Sequence, residues 1–135
     1  MLRLLIVEDE VLVGLCLKEE LLDRGCSVAL EHNAESVLSK PTVRGLDAAI
    51  LDITLPGLSG DELARRLRRS LPSLPIVVST GLALHEITAD LRHDARVCVL
   101  QKPYPPTALV DSLRTLGLNI GPSNAATADT YVPAA

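Results

Sequence analysis

Short strand-like runs that alternate with segments of helical periodicity are the feature that most limits how this chain can fold. Four of the runs are almost wholly apolar, as is typical of strands buried on both faces of a sheet, and the second is weaker. Alternating strands and helices predict an α/β fold with a doubly wound parallel sheet. The predicted strands are residues 4–7, 27–31, 47–51, 76–78 and 97–100.

Helix-end signals divide the segments between these runs. Gly25 is a good residue to follow a first helix over 10–24, and Asn33 can cap a short second helix that ends near residue 39. Ser59 and Glu62 have the spacing of a capping box before a third helix over 60–70. Pro106 suits the first turn of a last helix that ends near residue 116. Apolar residues at helical spacing predict a fourth helix through Leu84, Ile87 and Leu91.

Composition excludes several classes of protein. The chain has 135 residues, no Phe and no Trp, so we expect one domain with an aliphatic core. A net charge of −4 argues against direct DNA binding, and the arginines of residues 65–69 are interpreted as a solvated helix face. No apolar stretch is long enough to span a membrane, and no secretory signal is visible. Three cysteines without CxxC spacing predict reduced, mostly buried thiols and a cytoplasmic protein.

Acidic side chains follow the predicted strands. Glu8 and Asp9 come directly after the first strand, and Asp52 follows the third. Ligands of doubly wound folds bind beyond the carboxyl ends of the strands, so these groups are expected to converge there. Carboxylates gathered at one edge repel one another and need a cation. Oxygen ligands without nearby His or Cys favour Mg²⁺.

A hydroxyl and a lysine are expected at the same edge. Thr80 ends the fourth strand, and Lys102 follows the fifth. The lysine can act as a point charge and the threonine as a hydrogen-bond donor, which are the groups that hold a phosphoryl oxygen. Alone, each would be an ordinary turn or surface residue. Their joint placement at the ends of different strands predicts a phosphoryl-handling site.

The strand-end residues stand in four longer motifs: LLIVEDE at 4–10, LDITLPGLSG at 51–60, VSTG at 78–81 and QKP at 101–103. These motifs resemble the receiver domains of two-component signalling. The resemblance covers roughly residues 3–117 and implies a flavodoxin-like fold with strand order 2-1-3-4-5. We therefore expect a receiver domain at residues 1–118 and a flexible C-terminal tail at 119–135.

The resemblance also implies roles for individual residues. Asp52 would be the phospho-acceptor, and Lys102 and Thr80 would contact the phosphoryl group. Asp9, Asp52 and the backbone carbonyl of Thr54 would bind Mg²⁺, with Glu8 acting through water. A cis peptide bond is expected before Pro103.

The implied protein is a stand-alone response regulator rather than a conventional enzyme. Its donor would be a sensor histidine kinase or a histidine phosphotransfer protein. Output would be by protein contact, or the chain would serve as a phosphorelay intermediate. The sequence leaves the oligomeric state open.

The chain departs from the family pattern in two places. Receivers commonly carry an aromatic residue three positions before the lysine, where this chain has Val99, and Tyr104 stands where Phe is common. The first helix has a core stripe of Val13, Cys16, Leu17 and Leu21, and a second stripe of Leu12, Leu15 and Leu22. That second stripe is either surface noise or a face that docks the phosphodonor.

Three alternative functions remain. A haloacid-dehalogenase-type phosphatase also uses an aspartyl nucleophile, but it wants a second Asp where this chain has Thr54. A flavodoxin-like cofactor binder would need a Gly-rich loop where the acidic residues stand. A non-phosphorylated pseudo-receiver that only binds partners is the third.

Overall fold

A five-stranded parallel sheet forms the centre of the protein. The computed structural model describes residues 1–40 and 43–124. The strand order β2-β1-β3-β4-β5 confirms the fold class and topology that the resemblance implied. The strands are β1 Arg3–Val7, β2 Ser27–Glu31, β3 Ala48–Asp52, β4 Ile76–Thr80 and β5 Val97–Gln101.

The helices cover both faces of this sheet, and most of their predicted ends are confirmed. The Asn33 side chain accepts a hydrogen bond from the Ser36 amide, Gly25 adopts a positive φ of 83°, and Pro106 opens the last helix. The helices are α1 Val11–Asp23, α2 Ala34–Leu38, α3 Gly60–Ser70, α4 Ala89–Arg92 and α5 Pro106–Thr115.

Period-two alternation along the strands divides the core into two layers. On one face, residues such as Ile6 and Ile50 pack with Leu17 of α1 and Leu109 of α5. On the other face, the intervening strand residues pack with α2, α3 and α4. Both layers are aliphatic, as the composition predicts.

The prediction of a regular fourth helix through Leu84 is wrong. A 3₁₀ turn at Leu84–Glu86 is followed by extended backbone at Ile87, and only Ala89–Arg92 is α-helical. Ile87 and Leu91 are buried, whereas Leu84 is 53% exposed. Burial of Ile87 in an extended conformation therefore overrides the helical spacing of the three side chains.

Two arginines of α3 hold the α4 region, which corrects their interpretation as a solvated helix face. Arg65 Nε lies 2.8 Å from a carboxylate oxygen of Asp90, and Arg68 Nε lies 2.9 Å from one of Asp94. Arg68 also donates to the carbonyl oxygen of Leu74. The exposed Arg66 and Arg69 fit the solvated interpretation better.

Two smaller predictions are also wrong. The Ser59 side chain makes no capping hydrogen bond to α3, so the predicted capping box does not form. Cys16 is exposed instead of completing the core stripe of α1, and Cys98 is only partly buried, which leaves Cys26 as the one buried thiol. All three thiols are free, as expected.

The described C-terminal residues pack against the ends of α1 and α5. Ile120 is 4% exposed, and the Arg114 guanidinium donates to its carbonyl oxygen. The Asn124 amide donates to the carbonyl oxygen of Asp23. The rest of the predicted tail, residues 125–135, lies outside the described residues, and the domain boundary stays a prediction. No helix within the described ranges is long and apolar enough to cross a membrane.

Replacing Gly60 should test how closely α3 approaches the sheet. A Cβ atom at Gly60 would overlap the carbonyl oxygen of Asp52 and lie 2.7 Å from the Ile53 Cα atom. Both are backbone atoms that cannot rotate away, so we expect Gly60→Ala to lower the free energy of unfolding by about 3 kcal/mol. Gly81→Ala is the matched control, because a Cβ atom there meets nothing within 4 Å. Urea unfolding measures both, and equal effects would contradict the prediction.

Candidate functional site

Three carboxylates meet at the carboxyl edge of the sheet, as the sequence predicts. Val7 of β1 pairs with Leu51 of β3, so the next residues, Glu8 and Asp52, are neighbours across the two strands. Oxygen atoms of Glu8, Asp9 and Asp52 all lie within 4.8 Å of one another. Glu8 and Asp52 are almost fully buried, whereas Asp9 is exposed. The cluster therefore opens to solvent on the Asp9 side.

Lys102 binds both buried carboxylates. Its Nζ atom lies 3.0 and 3.1 Å from the two oxygens of Glu8 and 3.2 Å from Oδ2 of Asp52. Its backbone amide donates to the carbonyl oxygen of Thr80, which fixes the lysine at the end of β5. The Lys102-Pro103 peptide bond is cis, as the resemblance implied. The bridge to Glu8 was not foreseen, because sequence position does not show which acid a lysine reaches.

The pKa values of the three carboxylates reflect their burial and the position of Lys102. Burial raises the pKa of Glu8, and hydrogen bonding from Lys102 offsets that effect only in part. Desolvation and the neighbouring Asp52 raise the pKa of Asp9. Burial alone would raise the pKa of Asp52, but the Thr54 amide and Lys102 outweigh it and lower the pKa. Of the three cluster carboxylates, only Asp52 has a lowered pKa, so it is the one whose charged form is most favoured.

Thr54 donates hydrogen bonds to the second carboxylate oxygen of Asp52. The Thr54 amide and hydroxyl lie 3.1 and 3.2 Å from Oδ1 of Asp52. Lys102 and Thr54 therefore hold opposite oxygens of one carboxylate and fix its orientation. The sequence predicted a role only for the Thr54 carbonyl, and that role stays a prediction.

Thr80 lies at the same edge but faces its own loop. It is fully buried at the end of β4, and its hydroxyl oxygen accepts a hydrogen bond from the Leu82 amide at 2.8 Å. The movement of this hydroxyl toward a phosphoryl group remains a prediction.

The donor set suits a hard divalent cation. It offers carboxylate oxygens at one open edge, and no Cys or His belongs to this cluster among the described residues. Mg²⁺ prefers such oxygens and commonly uses only one or two carboxylates together with water. The cluster holds three carboxylates, and the Lys102 ammonium pairs with two of them, Glu8 and Asp52, so a cation would also relieve the remaining repulsion.

The two departures from the family pattern have different surroundings. Val99 is partly buried and packs against the core layer that includes Val78. The Tyr104 hydroxyl lies 2.9 Å from the hydroxyl oxygen of Ser79. That contact was missed, because neither residue type at its position signals a partner 25 residues away.

The second stripe of α1 lies on the surface of the protein. Its members are 77% (Leu12), 43% (Leu15) and 46% (Leu22) exposed. Beside it is an open groove of about 570 Å³, which adjoins the site through Lys102. Leu12 lines this groove, whereas Leu15 and Leu22 do not. The other lining residues are Glu10, Val13, Cys16, Leu17, Pro103, Tyr104 and Pro106.

Comparisons with known proteins agree with this geometry. The family model described as response regulator receiver domain matches residues 4–114. The chain is 34% identical to "Response regulator MprA" of Mycobacterium tuberculosis over 125 residues, which are 92% of this chain and 54% of that protein. It is 40% identical to "Uncharacterized transcriptional regulatory protein YkoG" of Bacillus subtilis over 79 residues, which are 58% of this chain and 35% of that protein. The chain thus spans about half or less of these relatives.

A solved structure gives the same picture. The CheY-like response regulator receiver domain protein from Methanospirillum hungatei superposes with a TM-score of 0.74 at 26% identity. The match covers 84% of this chain and 91% of that one.

Removing Asp9 should separate stability from metal binding. In metal-free buffer we expect Asp9→Ala to be at least as stable as the parent, because one of three repelling carboxylates is gone. At a hundred-fold excess of Mg²⁺ over its Kd, the parent should gain about 2.7 kcal/mol, and the variant should gain far less. Urea unfolding with and without MgCl₂ measures this. Glu19→Ala is the control, since the exposed Glu19 on α1 lies outside the cluster, and it should keep the Mg²⁺ response. An equal response in Asp9→Ala would rule out Asp9 as a ligand.

Proposed function

The chain belongs to the response-regulator receiver family, and from this membership we propose that it takes a phosphoryl group from a phosphohistidine onto Asp52. It then signals by protein contact or passes the group on within a phosphorelay. The observation that carries the proposal is the buried Asp52 carboxylate, whose two oxygens are held by Thr54 and Lys102 inside an acidic cluster. The donor is a sensor histidine kinase or a histidine phosphotransfer protein.

The transfer is a displacement at phosphorus. An oxygen of Asp52 forms the new O–P bond while the N–P bond of the phosphohistidine breaks, and the histidine nitrogen keeps the electron pair. When bound, Mg²⁺ would supply positive charge that stabilises the transferring phosphoryl oxygens. Asp9, Asp52 and the Thr54 carbonyl would bind it, and Glu8 would act through water.

Lys102 changes partners during this step. Before transfer its ammonium stabilises Asp52, and afterwards it lies close enough to stabilise the phosphoryl oxygens attached to the same side chain. The Thr80 hydroxyl would leave the Leu82 amide to donate to the phosphoryl group. The product is an acyl phosphate, which water hydrolyses, so the switch resets.

The alternative is a pseudo-receiver that binds partners without phosphorylation. The orientation of Asp52 by two donors favours the phosphorylated form, because a pure binding module has no need of a fixed nucleophile. Thr54 also weakens the phosphatase alternative. That enzyme type wants a second Asp at this position, whereas Thr54 donates hydrogen bonds to Asp52. A cytoplasmic location, the lack of direct DNA binding and the stand-alone arrangement stay predictions.

Labelling with acetyl phosphate tests the acceptor. With Mg²⁺ present, we expect the parent to gain one phosphoryl group and Asp52→Asn to gain none, because the amide is not a nucleophile. Asp61→Asn on α3 is the control and should label like the parent. Intact mass spectrometry measures the yield. An unchanged yield in Asp52→Asn would refute the assignment, and an unlabelled parent would favour the pseudo-receiver.

We further propose that the exposed leucines of α1 dock the histidine-bearing helical bundle of the donor. Leu12 joins this stripe to the groove that Lys102 also lines, so a helix held there lies beside the lysine that pairs with Asp52. Docking of this kind supplies near-attack geometry for the transfer. Apolar side chains that seat between helices are a common mode of helix recognition.

Leu15→Asp should separate docking from chemistry. We expect at least ten-fold slower transfer from the cognate donor protein, since a charge placed in an apolar contact must be desolvated. Labelling by acetyl phosphate should be nearly unchanged, because a small donor needs no docking. Leu38→Asp is the matched control, as Leu38 is 40% exposed on α2. Equal loss with both donors would indicate a damaged fold, and no loss with either would mean that the leucines have no docking role.

A further inference from the structure

The hydroxyl groups of Tyr104 and Ser79 are hydrogen-bonded beside the phosphorylation site. Their oxygens are 2.9 Å apart, and Ser79 is 1% exposed. The Tyr104 ring is partly buried and packs on the core layer beneath α1 and α5. Burial raises the pKa of Tyr104, so the phenol stays neutral, and its oxygen can accept the proton of the Ser79 hydroxyl. Each hydroxyl gives the other a partner away from bulk water.

Ser79 is also the strand neighbour of Asp52. The two residues pair in the register of β3 and β4. Each lies two positions beyond a core residue of the same layer, Ile50 or Val77, so alternation places both side chains on the same face of the sheet. Adjacent strands are about 4.8 Å apart, which is within reach of a hydroxyl-to-carboxylate hydrogen bond.

Without Tyr104, the Ser79 hydroxyl would need another partner. A buried hydroxyl left unsatisfied is costly, and a hydrogen bond to a charged acceptor is stronger than one to a neutral acceptor. Asp52 is the charged acceptor next to it in the sheet. Its oxygens already accept from Thr54 and Lys102. A further donor would compete with Lys102, with a cation and with the incoming phosphorus.

We propose that Tyr104 is a positioning residue, whose hydroxyl oxygen accepts the Ser79 proton and so keeps that donor off the acceptor carboxylate. The proposal deepens the proposed phosphorylation of Asp52 and rests on it. It gives a function to a hydroxyl that a Phe at this position would lack. Tyr104 itself does not touch the reacting atoms.

Four proteins test this proposal: the parent, Tyr104→Phe, Ser79→Ala and the double variant. Tyr104→Phe keeps the ring and releases the Ser79 hydroxyl, so we expect the initial rate of acetyl phosphate labelling to fall about five-fold. Ser79→Ala removes the competing hydroxyl and should label at the parental rate. The double variant should also label at the parental rate, because the second change removes what the first released.

That rescue distinguishes positioning from a structural role. If the two hydroxyls merely tied the lysine loop to β4, both single variants would lose rate equally and the double variant would match them. That pattern, additive losses, or an unchanged rate in Tyr104→Phe would each overturn the proposal. Urea unfolding of all four proteins checks that each is folded under the labelling conditions.

Mg²⁺ titration provides a readout that does not need phosphorylation. Because the released hydroxyl would compete for Asp52, Tyr104→Phe should bind Mg²⁺ more weakly, and the double variant should recover the parental affinity. If the parent is not labelled at all, the proposed function fails, and these affinities still decide the role of Tyr104. Equal affinities in the parent and Tyr104→Phe would then overturn it.

Discussion

The ammonium group of Lys102 is the constraint on which the rest of the site depends. It lies between Glu8 and Asp52, two carboxylates that the fold buries at the ends of different strands. Buried charges are tolerated only when they are paired, so the lysine must arrive from β5 at the same height as both acids. The parallel register of the strands meets that requirement, together with the hydrogen bond that the Lys102 amide donates to the Thr80 carbonyl oxygen. The chemistry of the site therefore depends directly on the geometry of the sheet.

Most of the fold could be predicted because burial imposes simple periods on the sequence. Strands that are covered on both faces must be apolar throughout, and Gly25, Asn33 and Pro106 mark helix ends by local backbone chemistry. The segment after β4 was predicted wrongly because apolar spacing was the only signal available there. Three apolar residues at helical spacing do not reveal whether the backbone between them is helical, and Ile87 is buried in an extended conformation.

The site was predictable in its members but not in its contacts. Strand ends and parallel order bring Glu8, Asp9, Asp52 and Lys102 to one edge whatever their rotamers. Which oxygen Thr54 or Lys102 holds, and which way the Thr80 hydroxyl points, depends on side-chain torsions that no local pattern records. The pair of Tyr104 and Ser79 likewise joins residues that only the folded chain makes neighbours.

The attachment of α4 through Arg65 and Arg68 has a consequence for local unfolding. The helix has four residues, and the ion pairs that hold it to α3 are partly open to water. Salt screens such pairs, whereas it barely affects the aliphatic contacts of the sheet. Ile87 and Leu91 still anchor the region in the core, so rising ionic strength should loosen it without detaching it from the sheet. The rate of amide hydrogen exchange in this region should therefore depend on the ionic strength of the solution as well as on the stability of the protein.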